Sequence, residues 1–390
     1  MLKYQSWYAS MWTAVLGLYA LGWSSLNGEL SFQLQVFFLV TIAFSIVLSI
    51  LSSPIPVIKI KYVKRRRPVV TLAIAAGFIV DWLYGGALPL FEKYQGFDSQ
   101  SVVQQAVGIP VFHVVLTAVA IFHTMYISYL ALSDRTSKSY MKEFLFLLLI
   151  LLLNNSRGYI VFCIFIATLL YVSINTKRLS KIRLSVLATA CLACLLTIYF
   201  ISIYGNIRSG VGWNDCSYIQ RIGLFTNYPE WLSKHFMWAY SYITSPLANL
   251  NLDCIAYADS LNIKALLFSF LPEQLSAEYL SSVVHPLYVV LHLNASTGFA
   301  SFACSAGVFG LYIAFFGMIA YYTIIKLILR HFRVLETFGN SILCFLTVAM
   351  LFFGSFSTSA LCYLPLFLIV GSAYLSRKLS SGSLQLVACE

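Results

Sequence analysis

The sequence predicts an all-α, polytopic integral membrane protein: about ten transmembrane helices, with one large hydrophilic loop on a single side. Three observations predict it. Hydrophobic runs of about 20 residues, the length a helix needs to cross a bilayer, recur almost from end to end. Apolar residues make up 60% of the chain and charged residues 10%, with a mean hydropathy of +0.82, which excludes a soluble domain. The basic residues are also segregated. Lys3, the run from Lys59 to Arg67, Arg135, Lys138, Lys142, Lys177, Arg178, Lys181, Arg183, Lys326, Arg330, Arg333, Arg377 and Lys378 fall between alternate hydrophobic runs or at the termini. By the positive-inside rule those segments face the cytoplasm. The net charge of +11 is then an orientation signal beside anionic lipid rather than a nucleic-acid footprint.

The expected spans are Trp7–Leu26, Leu30–Leu51, Pro68–Leu90, Ile109–Leu132, Glu143–Asn154, Gly158–Ile174, Leu184–Tyr204, Val308–Leu329, Phe338–Gly354 and Ser359–Leu375. Both termini are then cytoplasmic. The first run is expected to be retained, because no small-residue cleavage site follows its Trp- and Tyr-rich stretch. The chain divides into residues 1–204 with seven spans, a loop over 205–297, and residues 298–390 with three spans and a tail. The fifth span ends early, at Asn154-Asn155-Ser156-Arg157-Gly158. A helix that short falls below about 30 Å of hydrocarbon, which predicts that Arg157 sits in a protected, water-filled site. Asp81, costly inside a membrane without a partner, is a candidate partner for it.

The loop is rich in Tyr, Trp, Phe and Leu, with turn signals at Gly210–Gly212, Pro229, Pro246, Pro272 and Pro286. It is expected to fold as short amphipathic helices over the membrane mouth. Cys216 and Cys254 lie well inside it, and an oxidising compartment would favour a disulfide between them. No Cys/His spacing resembles a zinc site and no acidic cluster resembles a magnesium site, so no metal or cofactor is expected.

Against the charge bias, Lys93, Arg157, Arg208, Arg221, Lys234 and Lys264 fall on the loop side. Arg157, Arg208 and Arg221 adjoin a span or an aromatic segment, and guanidinium grips phosphate oxygens in pairs. Snorkelling to lipid phosphate, or pairing with Asp215 or Glu230, is the structural alternative. Candidate acids and bases are His285, His292, Glu273, Glu278, Asp215, Asp253 and Asp259. Tyr240, Tyr242 and Asn249 are candidates to stack on and hydrogen-bond a sugar; an aromatic belt is the plainer reading.

Ser156-Arg157-Gly158, the exit Gly205-Asn206-Ile207-Arg208, the stretch from Tyr240 to Asn249, and Asn294-Ala295-Ser296-Thr297-Gly298-Phe299 leading to Gly307 and Gly310 together carry a family resemblance. On these residues the chain resembles bacterial O-antigen polymerases, which join oligosaccharide repeat units. It departs from their pattern at Ser305-Ala306-Gly307, where many members place an acidic residue before glycine.

The resemblance implies a GT-C-like, lipid-carrier-dependent glycosyltransferase of the bacterial inner membrane, with its active site facing the periplasm. It implies undecaprenyl-pyrophosphate-linked glycans as substrates and a chain-length regulator as a protein partner, with no metal. Arg157 and Arg208 would hold the donor pyrophosphate with Arg221 in support. Tyr240, Tyr242 and Asn249 would position sugar, and His285 or Glu273 would be the base. The related ligase, which moves finished glycan to lipid A–core, shares these features. A flippase or other transporter is the alternative without chemistry.

Overall fold

The computed structural model describes residues 2–53, 58–62, 68–86, 88–89, 108–133, 138–154, 157–179, 192, 195, 198–207, 209–332, 335–352, 359–380 and 384–388. The helices at the bundle end of the chain are α1 (Tyr4–Ala20), α2 (Phe32–Leu51), α3 (Val69–Gly85), α4 (Pro110–Ser133), α5 (Lys138–Leu153), α6 (Arg157–Leu179) and α7 (Ile198–Ile207). The loop region contributes α8 (Ser217–Ile222), α9 (Phe236–Ala256), α10 (Ile263–Phe268) and α11 (Glu273–Val283). The chain then returns through α12 (Ala300–His331), α13 (Glu336–Ala349) and α14 (Ser359–Ser380).

Among the described residues, three helices are long and apolar enough to cross a membrane: Phe32–Leu51, Val111–Ser133 and Ala300–His331. These mark the protein as membrane-embedded. Helix α5 corrects one expectation. It starts at Lys138 and so has 16 residues rather than the twelve of Glu143–Asn154. Glu143 is accommodated inside it because Thr71 Oγ1 donates to its carboxylate, with His123 Nε2 2.9 Å from the same hydroxyl.

One element departs from an all-helical chain. Strands β1 (Ile58–Tyr62) and β2 (Leu384–Ala388) pair antiparallel, Ile60 opposite Leu386. This joins the basic connection after α2 to the C-terminal tail, so both lie at one end of the bundle. Lys3 Nζ lies close to the α2 end of that connection, donating to Ser49 O (2.6 Å) and Ser52 O (2.7 Å).

The other end carries a cap. The turn after α1 bridges to it, Ser24 pairing with Phe225, and Ser24 Oγ donates to Gly223 O. The cap has its own apolar cluster of Cys216, Ile219, Ile222, Met237, Trp238 and Leu293, separate from the main core. Helix α9 links the two. Its Tyr240 hydroxyl accepts from Trp23 N and Asn27 Nδ2, and its Asn251 bonds Ser31 N and Glu29 O. It therefore lies across the α1–α2 turn. Pro246, read from sequence as a turn, is inside this 21-residue helix. Tertiary contacts on both sides outweigh the lost N–H.

Helix α12 is folded back on itself. Tyr4 packs on Tyr322 and Trp12 on Phe299, ring centroids 5.3 and 5.9 Å apart. Eight residues of α1 span about 12 Å, whereas 23 residues of straight helix would span about 35 Å. Phe37 also touches both Phe299 and Tyr312. The reversal is at Ala306 (φ −155°) and Gly307 (φ 52°, ψ −143°). Only glycine suits Gly307, where a Cβ would also stand 2.9 Å from Tyr257 O. The long helix resumes at Val308, the residue at which the sequence predicts a span. Upstream, Gly298 N donates to Met350 O (2.7 Å). Residues 297–305 thus dip into the bundle and climb out again before α12 proper begins.

Candidate functional site

The candidate site is built on the cap end of α9. Trp238 stacks on Tyr242 (5.7 Å, 25°) and on Tyr218 of α8 (6.2 Å, 22°). Trp238 is 4% exposed and its Nε1 donates to Asn206 Oδ1 (2.7 Å), so the central ring is fixed, while Tyr218 and Tyr242 are half-buried at the flanks. Asn206 is held in turn, donating to Trp213 O. Gly205 lets α7 approach, since a Cβ there would stand 2.6 Å from the Trp238 ring.

At the open end of the stack the exposed Arg221 guanidinium lies 6.0 Å from the Tyr218 centroid. The exposed His292 ring meets the same tyrosine edge-on at 6.1 Å. The Tyr218 ring thus touches both a permanent cation and an imidazole. Glu230 and Asp215 are the acids weighed as partners for Arg221; no ion pair joins either to it among the described residues.

His235 was missed by sequence reasoning. It sits at the start of α9, with Nδ1 2.8 Å from Ser202 Oγ and Nε2 2.8 Å from Asn214 Oδ1. Tyr199 packs edge-on against it at 4.6 Å. If Nε2 carries the proton to Asn214, Nδ1 is left to accept from Ser202. Burial lowers the imidazole pKa and favours the neutral form. Both partners come from other segments, so nothing local in the sequence marks the residue.

Along the rest of α9, three side chains spaced four apart form a rack for an extended segment. Tyr257 OH donates to His285 O (3.0 Å), and Asp253 Oδ1 accepts from Leu287 N (2.7 Å). Asn249 Oδ1 accepts from Val289 N (2.8 Å), and its amide donates to Leu293 O and Ala295 O, both 2.9 Å. Asp253 is 1% exposed, its Oδ2 has no hydrogen-bond partner among the described residues, and the Cys304 thiol lies near its carboxyl. Burial pushes the carboxyl up to about 7.

These contacts revise several expectations. Asn249 has both amide protons committed to main chain and none left for a sugar; it is a strut. Tyr240 is 3% exposed and is packed by Trp23 and Phe225, so it fixes the cap rather than facing a ligand. Tyr242 keeps a half-exposed flank in the stack. His285 is exposed at the Tyr257 end of α9, 19 residues and about 28 Å along the helix from Trp238. It therefore cannot share a site with Arg221, whereas His292 does. Arg157 begins α6 and Glu273 begins α11, but their side chains, and Arg208 altogether, lie outside the described residues.

Asp81 has a partner that sequence reasoning did not name; the expected one, the Arg157 side chain, lies outside the described residues. Its carboxylate meets His113 Nδ1 (2.6 Å) and Ile109 N (2.9 Å) at the start of α4. Gly108 has φ 93°, and a Cβ there would stand 2.3 Å from that carboxylate. Cys216 and Cys254 are free and buried. Cys216 packs in the cap cluster with Met237 and Trp238, while Cys254 lies 16 residues farther along α9, about 24 Å. A disulfide needs Cα atoms within about 7 Å.

No protein-family model, curated protein or solved structure matches the chain.

Proposed function

We propose that the protein is a membrane glycosyltransferase that polymerises undecaprenyl-pyrophosphate-linked oligosaccharide repeat units at the cap side of a bacterial inner membrane. The reading includes ten spans, both termini in the cytoplasm and the cap in the periplasm. The observation that carries it is the Tyr242–Trp238–Tyr218 stack ending in exposed Arg221 and His292.

Aromatic faces suit the apolar faces of sugar rings, and a guanidinium suits diphosphate oxygens. In the reaction an acceptor sugar hydroxyl attacks the anomeric carbon of the donor. The bond from that carbon to the pyrophosphate oxygen breaks and polyprenyl pyrophosphate leaves. Arg221 stabilises the negative charge growing on it, and His292 takes the hydroxyl proton. Holding both lipids in one bilayer brings their sugars together under the cap.

The test is extension of a purified polyprenyl-pyrophosphate-linked repeat unit by the protein in liposomes, read as a glycan ladder on gels. Arg221→Ala is expected to lower extension at least ~10-fold while Arg221→Lys retains part of it. An unchanged ladder in Arg221→Ala overturns the assignment. Transfer to lipid A–core without lengthening would identify the ligase activity instead. A second reading, transport of lipid-linked sugar without chemistry, is favoured by the intramembrane pairs Asp81–His113 and Glu143–His123. Movement of substrate across liposomes with no extension selects it.

A further inference from the structure

Helices α10 and α11 form a hairpin beside α12. At its top, Asn262 N donates to Ser305 O (2.8 Å), next to the reversal at Gly307. At its tip, Phe270 packs edge-on against Phe302 (4.8 Å) and occupies the space left by Gly317, where a Cβ would stand 2.5 Å from the Phe270 ring. Ten residues of α12 separate Gly307 from Gly317, so the tip lies about 15 Å below the reversal. The return is antiparallel: Tyr279 packs on Phe268 (4.9 Å), and its hydroxyl reaches Asn262 Oδ1 (3.5 Å).

The surrounding surface fixes what the hairpin stands in. On α12, at the same levels, Phe309 is 61% and Phe316 is 48% exposed; Phe32, beside the α9 crossing, is 79% exposed. These belong to two of the helices apolar enough to span a membrane. The outward face of the hairpin continues that apolar surface through Leu261, Ile263, Leu267, Leu271 and Leu275, all exposed. Lys264 sits near the top with Nζ 4.3 Å from the Tyr279 centroid, where headgroups and water meet an amphipathic element.

We infer that α10–α11 is a hairpin inserted in the cap-side leaflet with its leucine face against acyl chains. The backbone at its tip is satisfied locally, Phe270 N donating to Leu267 O, Leu271 N to Phe268 O and Ser276 N to Pro272 O, as an apolar surrounding requires. The inference stands apart from the catalytic reading, since it needs only that the protein is embedded in a bilayer.

The experiment uses the full chain in phosphatidylcholine liposomes with cysteines introduced at Leu267, Leu271 and Leu275, and at Trp231, a cap residue 84% exposed. The unsubstituted protein serves as the blank for its native thiols. All four positions are outward-facing, and Leu267 and Leu275, more than half exposed, tolerate the change without disturbing packing. A membrane-impermeant maleimide is expected to label Leu267→Cys, Leu271→Cys and Leu275→Cys at least ~10-fold more slowly than Trp231→Cys. Nitroxides at the three sites should relax with oxygen rather than with a water-soluble nickel chelate. Labelling as fast as at Trp231→Cys would place the hairpin in water. Slow labelling with neither relaxant effective would place it against protein. Either result overturns the inference.

Discussion

Where α1 crosses α12, Tyr4, Tyr8 and Trp12 meet Tyr322, Phe315 and Phe299 ring against ring. Where α9 meets the loop after α11, Tyr257, Asp253 and Asn249 meet bare main chain instead. The two surfaces solve different problems. Inside lipid, apolar side chains gain nothing by leaving one apolar medium for another, so helices associate by close packing and shape. Glycine at positions such as 310 and 317 makes that packing possible. On the cap the chain is irregular, and each buried N–H or carbonyl needs a partner that no helix supplies. The rack supplies it.

Gly310→Ala should test the first surface hardest. The added Cβ would stand 2.1 Å from Phe302 O, main chain that cannot rotate away. A loss of about 3 kcal/mol or more is expected, seen as loss of monodisperse protein in detergent. Folding as well as wild type would show that the reversal of α12 is not closely packed.

Asn249→Leu tests the second surface. Three main-chain groups would lose their partner, at a cost of about 2–3 kcal/mol. Hydrogen exchange should rise at Val289, while α1 stays protected. Loss of protection in both regions would mean that the rack and the bundle fold as one unit.

Asp253→Asn refines the same rack. Its folded pKa of about 7 lies above the ordinary carboxyl value, so the folded chain holds a proton that the unfolded chain releases. That stability is fully present below about pH 4 and is lost as pH rises through about 7. The amide variant should therefore flatten the pH dependence of melting between pH 4 and 7. It should also melt higher than wild type at pH 8, because an amide has no proton to lose and no charge to bury. Each tenfold difference in proton affinity between the folded and unfolded carboxyl is worth about 1.4 kcal/mol at most. Equal melting at pH 8 would show that Asp253 is not held protonated.

Arg221→Ala should leave stability within about 0.5 kcal/mol, because the side chain is exposed and makes no ion pair among the described residues. Its effect belongs to glycan extension alone. A large drop in melting temperature would instead make Arg221 part of the cap's framework.

Part of the bundle was legible in the sequence. The limits of α2 and α4 lie within about two residues of the predicted spans, because long apolar runs have few alternatives in lipid. The start of the long helix at Val308 was also legible, though not the reversal at Ala306-Gly307 that precedes it. Helix α9 was not legible as one helix, since Pro246 suggests a turn unless the packing around it is known. The site was legible only in part. Arg221 and Tyr242 could be selected by residue type, but the choice of His292 over His285 depends on which end of α9 each one meets.

Composition alone determined that the chain enters a membrane, because solvent preference is a property of each residue. Only the tertiary structure decided the reversal at Gly307, the partner of Asp81, the separation of Cys216 from Cys254 and the seat of Arg221 beside His292. Those depend on which distant segments touch, and in a chain this uniformly apolar many pairings share the same hydrophobic energy. Close packing and the satisfaction of individual polar groups select among them.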